Sequence, residues 1–194
     1  MRLVALCILA SALLPSVSRA QEAPVFAISQ AGSSIAFNVK ASVAIQGTFD
    51  KWDATLTFTS PDVTTGVLAV NIQAASVDTG SGFKDSKLKS DDFFAVDQNP
   101  LITFTSTKIV QSGPNTFEVD GNFTIRGVTK PEKLTLAVSG KGTGSGVING
   151  TMAFDRKDYG MNSGIPFIKI ANRVEVTVSL TGSRVSGPPL VFKQ

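Results

Sequence analysis

Apolar and polar residues alternate with a period of two along most of this chain, and no segment carries the long 3.6-residue period of an amphipathic helix. In SIAFNVK (34–40), Ile35, Phe37 and Val39 share one face, opposite Ala36, Asn38 and Lys40. ATLTFTS (54–60) sets Leu56 and Phe58 against threonines, and GVLAVNIQ (66–73) aligns Leu68, Val70 and Ile72. LITFTSTKIV (101–110) sets Ile102 and Phe104 against Thr103, Thr105 and Thr107, and TFEVDGNFTIR (116–126) aligns Phe117, Val119, Phe123 and Ile125. KLTLAV (133–138), which carries Leu136, VINGTMAF (147–154), which ends on Phe154, and RVEVTVSL (173–180) continue the pattern.

About eight strands are predicted, each with one apolar and one Thr-rich face, separated by turn clusters such as QSGPN (111–115) and GKGTGSG (140–146). Neighbouring strands are close in sequence, so antiparallel hairpins are the economical topology. Two stacked sheets or one sheet curled into a barrel would both bury a single set of apolar faces. The abundance of inward Phe and the absence of a second apolar stripe favour an all-β, eight-stranded antiparallel barrel, whose interior suits side chains or a slender ligand.

One stretch breaks the alternation. TGSGFKDSKLKSDDFF (79–94), between the third and fourth predicted strands, reads as a short helix, with Ser90 placed to cap a turn through Asp92. Its Phe83, Leu88, Phe93 and Phe94 are placed to cover one end of the barrel. The Gly- and Pro-rich tail 182–194 reads as surface chain, and nothing suggests a second domain.

The first twenty residues stand apart: Arg2, an apolar run Leu3 to Leu14 too short to span a bilayer, then Ser18-Arg19-Ala20. They read as an export signal cleaved after Ala20, leaving one domain over 21–194. Losing Arg2 and Arg19 takes the formal charge from +3 to +1, so no concentrated basic face points to nucleic acid. Cys7, the chain's single cysteine, leaves with the signal, so packing and hydrogen bonds must stabilise the exported domain without disulfides.

The chain has no histidine, and the mature part no cysteine, so the usual nucleophile and base pairs are missing. Asp91-Asp92 reads as a solvated cap, and Asp155, Arg156 and Asp158 as a charge-assisted tie at a strand end. Binding rather than catalysis is expected. The inward set (Phe37, Val39, Leu56, Phe58, Leu68, Val70, Ile72, Ile102, Phe104, Phe117, Phe123, Ile125, Leu136 and Phe154) describes either a dry core or a long apolar cavity open at one end. A dry core would make the protein a structural or interaction module.

Three ordered motifs together resemble the YceI-like, polyisoprenoid-binding periplasmic proteins. The first is Lys84-Asp85, Leu88, Ser90, Phe93-Phe94, Pro100 and Phe104-x-Ser106; the second is FTIRGVTKPEKLTL (123–136); the third is FDRKDYGM (154–161). The histidines frequent in that family are absent, with Ser33 or Ser34 and Lys87 in their places. The resemblance implies a lipocalin-like eight-stranded barrel in the periplasm that encloses an isoprenoid chain, a quinone tail or a polyprenyl lipid, with no cofactor beyond that lipid. It also implies a mouth near 79–94, and is compatible with a homodimer and transient membrane contact. Lys84, Arg126 and Arg156 are the candidates to meet a head group, although Arg126 has a simpler reading as a turn stabiliser.

Overall fold

The computed structural model describes residues 22–42, 45–164 and 169–193; the expected signal and its cleavage after Ala20 lie outside them. Ten antiparallel strands form one sheet: β1 (Val25–Ala41), β2 (Ile45–Phe49), β3 (Trp52–Thr57), β4 (Val67–Gln73), β5 (Val77–Asp78), β6 (Leu101–Gln111), β7 (Thr116–Ile125), β8 (Val128–Ser139), β9 (Ser145–Asp155) and β10 (Ile170–Ser186). Their spatial order is β3-β4-β6-β7-β8-β9-β10-β1-β2-β5. The sheet curls so that β3 nears the N-terminal half of β1, where the Gln30 side chain donates to the Trp52 carbonyl and Phe26 lies 5.7 Å from Phe58. This half-barrel matches the all-β, barrel-like reading, but with ten strands where eight were expected. The extra two are β2 and β5. Gly47 interrupts the apolar alternation of the first, and the second is two residues long, so neither carries a readable period.

The period-two pattern places the core. Ile35, Phe37 and Val39 of β1, Leu68, Val70 and Ile72 of β4, and Phe117, Val119, Phe123 and Ile125 of β7 are all buried on the concave face. Ser106 is the buried polar exception among the described strand residues. The Leu68 amide lies just beyond the end of the β4–β6 pairing, and it donates to Ser106 Oγ at 2.9 Å, which satisfies a buried N–H.

Three of the inward phenylalanines lie over glycines. A methyl at Gly47 would stand 2.9 Å from the Phe37 ring, one at Gly66 2.8 Å from Phe58, and one at Gly121 2.4 Å from Phe104. Glycine weakens a strand, yet here it lets a ring lie along the wall instead of crossing the interior. Gly121→Ala is therefore expected to cost about 1–3 kcal/mol by overpacking. The added methyl also meets the Thr105 carbonyl at 2.8 Å, so the double variant with Phe104→Leu should recover only part of the loss. Urea denaturation of both variants measures this.

Helix α1 (Gly82–Lys89) follows β5. It is tied down by Asp85, whose carboxylate accepts from the Thr79 hydroxyl at 2.6 Å and the Thr79 amide at 2.9 Å. Those bonds, the hydroxyl first, hold the Asp85 carboxyl below its ordinary range. Ser90 sits at the C-terminal end of this helix, where its hydroxyl donates to the Lys87 carbonyl. Its own carbonyl accepts from the Phe93 amide at 3.0 Å, so it opens the expected turn through Asp92 without a side-chain cap on that turn.

Candidate functional site

The concave face encloses two apolar cavities at opposite ends of the strands. One, of ≈ 70 Å3, lies under α1 and is lined by Ile35, Phe37, Val39, Ile45, Phe49, Ile72, Leu88, Phe93, Phe94, Ile102, Phe123, Ile125, Phe154, Arg156, Met161, Ile170, Val174 and Val176. The other, of ≈ 120 Å3, lies under the β8–β9 hairpin and the C-terminal tail, with walls from Phe26, Ile28, Leu56, Phe58, Leu68, Ile109, Phe117, Leu136, Ile148 and Phe192 among others. Val70, Phe104, Val119, Leu134, Met152 and Leu180 are buried but line neither cavity. In strand register they fall between the two sets and form an apolar septum.

Hydrogen bonds close the α1 end. Phe93 and Phe94 follow the helix and turn inward, 5 % and 7 % exposed, with Phe94 6.0 Å from Phe49. Arg126 opens the two-residue β7–β8 turn, where both it and Gly127 have positive φ, as a type I′ hairpin requires. Its Nη2 donates to the Asp91 carbonyl at 2.8 Å and its Nη1 to the Gly160 carbonyl at 3.1 Å, while its buried Nε has no partner among the described residues. Gly160 itself has φ +75, and a methyl there would stand 2.6 Å from Arg126 Nη1, so both backbone and neighbour demand glycine. Arg156, 6 % exposed, donates from Nε to Ala171 at 3.2 Å and from Nη1 to the carbonyls of Met161 and of Ser163, the latter at 2.9 Å. Asp92 links the same segments, accepting from the Ser163 hydroxyl at 2.9 Å and pairing with Lys87.

The Lys87 and then the Ser163 hydrogen bonds, with the Lys87 charge, hold the Asp92 carboxyl below its ordinary range. A carboxyl depressed in the folded state stabilises it above the ordinary carboxylate pKa and loses that contribution as pH falls through the lowered value. Part of the acid decline in melting temperature below about pH 4, the ordinary aspartate range, should therefore disappear in Asp92→Asn. Parallel pH titrations of the two proteins check this.

A family model described as the YceI-like domain matches residues 26–182. The chain belongs to the YceI-like family. A UPF0312 protein of Azotobacter vinelandii is 30 % identical over 146 residues, 72 % of this chain and 74 % of its own length. The crystal structure of Burkholderia cenocepacia BcnA superposes with a TM-score of 0.72 at 23 % identity, covering 80 % of this chain and 99 % of that one. A polyisoprenoid-binding domain from Saccharophagus degradans, implicated in plant cell wall breakdown, gives 0.65 at 15 % identity, covering 83 % and 99 %. At these identities the two structures show the fold alone. The tail beyond residue 182 lies outside the YceI-like match.

Within the YceI-like fold, the residues expected to line one long cavity divide between two. Phe37, Val39, Ile72, Ile102, Phe123, Ile125 and Phe154 line the α1-end cavity, and Leu56, Phe58, Leu68, Phe117 and Leu136 the other. Val70 and Phe104 belong to the septum. Of the expected mouth residues, Leu88, Phe93 and Phe94 line the α1-end cavity, whereas Phe83 is 73 % exposed on the solvent side of α1, which buries no residue of its own. Lys84 and Arg126 line neither cavity. Arg156 reaches the α1-end cavity, but backbone carbonyls take its Nε and Nη1. The sequence reading missed Ile45 and Phe49, carried by the short β2, and Pro189, Leu190 and Phe192 of the tail. The tail's apolar PLVF run was a usable signal, which Gly187 and the two prolines obscured.

Proposed function

We propose that this protein is an exported carrier that holds a long isoprenoid chain, of polyprenyl or quinone type, inside its curled sheet in the periplasm. The observation that carries this reading is the pair of apolar cavities aligned end to end in one interior. The polyisoprenoid-binding domain of Saccharophagus degradans, which shares the fold, supports the ligand class.

An isoprene unit has five carbons, so keeping one from water is worth roughly 4 kcal/mol. A chain of several units does not cross an aqueous compartment unaided. A protein interior as apolar as a bilayer makes transfer from one to the other nearly neutral, which permits both loading and unloading. Cavities of ≈ 70 and ≈ 120 Å3 hold only part of such a chain, so loading requires the septum side chains to part. Met152, with three rotatable bonds, and the wall-lying Phe104 are the members best able to move.

The septum favours a second reading, a dry-cored structural module, because Val119 and Leu180 are fully buried within it. Organic extraction of protein purified from its native compartment, followed by mass spectrometry, separates the two. A stoichiometric isoprenoid is expected. An empty protein that also refuses a fluorescent prenyl probe would leave the module reading standing.

A further inference from the structure

The larger cavity is closed by two features absent from the α1 end. One is the β8–β9 hairpin, which brings Gly140, Gly142, Gly144 and Gly146 to the cavity and so lays nearly bare backbone over it. The other is the tail. Gly187, at φ +78, turns the chain out of β10, and residues 188–193 cross the end of the sheet as a strap. The Val191 amide donates to the Pro61 carbonyl at 2.8 Å, and the Val191 carbonyl accepts from Val63 at 3.2 Å. Gln111 brackets Lys193 through bonds of 2.7 and 2.9 Å, and Phe192 packs 6.2 Å from Phe117 at the cavity wall.

Two cations stand in the lining of this otherwise apolar chamber. Lys141 lies 4.5 Å from the centre of the Phe192 ring and donates to the Pro114 carbonyl; Arg184 donates from Nη1 to the Gly187 carbonyl. Both are half-buried, and among the described residues neither lies within ion-pair range of a carboxylate. An apolar chamber with uncompensated positive charge at its rim is the chemistry of an amphiphile site: the chain goes inside, and an anion meets the cations. The arginines at the other end serve a different purpose, since they hold the loops that close it.

Resting on the lipid-chain reading above, we propose that the strap-end chamber is a binding site for the polar end of a single-chain amphiphile with an anionic head, a carboxylate or a phosphate. Lys141 and Arg184 receive the head beside the strap, and the chain runs from there towards the septum. This orients the ligand opposite to a mouth at α1. It also gives the strap, which lies outside the family match, a role in binding.

Displacement of the neutral polarity-sensitive dye N-phenyl-1-naphthylamine tests this. The competitors are hexadecanoic acid against hexadecanol, and geranylgeranyl phosphate against geranylgeraniol. Wild-type protein is expected to prefer the charged member of a pair by about tenfold, the size of one charge-assisted hydrogen bond. The preference should fade in high salt, and collapse towards unity in the doubly substituted Lys141→Gln/Arg184→Gln protein. A preference confined to one pair supports the site and identifies the head as carboxylate or phosphate. A preference that survives the double substitution, or alcohols that compete as well as their anions, overturns the site while the lipid-chain reading stands. If neither dye nor competitor binds, both readings fall. The salt dependence needs no variant, so it decides the matter even if the double substitution disturbs folding, which circular dichroism would reveal.

Discussion

Arg156→Met is expected to lower the melting temperature by about 5–15 °C. The side chain is 6 % exposed, and its Nε and Nη1 donate to the carbonyls of Ala171, Met161 and Ser163. Methionine keeps most of the stem's apolar contact with the cavity but removes every donor. The Met161 residue is buried, so its carbonyl loses a charge-assisted partner without gaining water. Two to three such losses come to about 2–4 kcal/mol, and a chain of this size moves by about 2–4 °C for each kcal/mol. Arg156→Lys should fall between, because an ammonium keeps the charge but cannot present the planar fork that reaches carbonyls on two sides. Thermal melts of the three proteins check the order. A methionine variant as stable as wild type would mean that the clamp contributes nothing and that the guanidinium is held for a ligand instead.

How far the sequence was legible follows from what a linear pattern can carry. Period-two alternation located eight of the ten strands, because a strand with one buried face must alternate wherever it is long enough. It failed at β2, where Gly47 accommodates the Phe37 ring, and at β5, where two residues hold no period. It also assigned inward faces well: Phe117, Val119 and Ile125 are buried as expected. What alternation cannot report is depth along the strand axis. Val70 and Ile72 look alike in sequence, yet one falls in the septum and the other lines a cavity. The arginines illustrate a second limit. Arg126 and Arg156 both sit in recognisable motifs, but the partners that occupy their donors, Asp91, Gly160 and Ala171 among them, come from segments brought together only by folding. The tail was hardest, since GPP reads as surface chain while Phe192 packs inward against Phe117.

Depth along the axis supplies the sharpest test of whether the interior is a container. Leu136→Phe and Val70→Phe each enlarge an inward side chain, one in the larger chamber and one in the septum. Leu136 faces a cavity of ≈ 120 Å3 and leans over Gly150, where a methyl would stand 2.9 Å from its Cδ2, so a ring has a glycine to lie against, as Phe104 does. Its unfolding free energy should change by less than about 1 kcal/mol. Uptake of a prenyl probe should fall at least tenfold, because the ring occupies the space the chain needs. Val70 is 7 % exposed, pairs directly across from Phe104 and Ala54, and lines neither of the two cavities. Enlarging it should cost about 1–3 kcal/mol, and should also reduce uptake by stiffening the layer that must part. Urea denaturation and probe titration on the same samples give both quantities. If instead Leu136→Phe loses as much stability as Val70→Phe and neither alters uptake, the chambers are packing defects of a dry core. Only a container predicts that filling the roomier site is nearly free for the fold and costly for the guest.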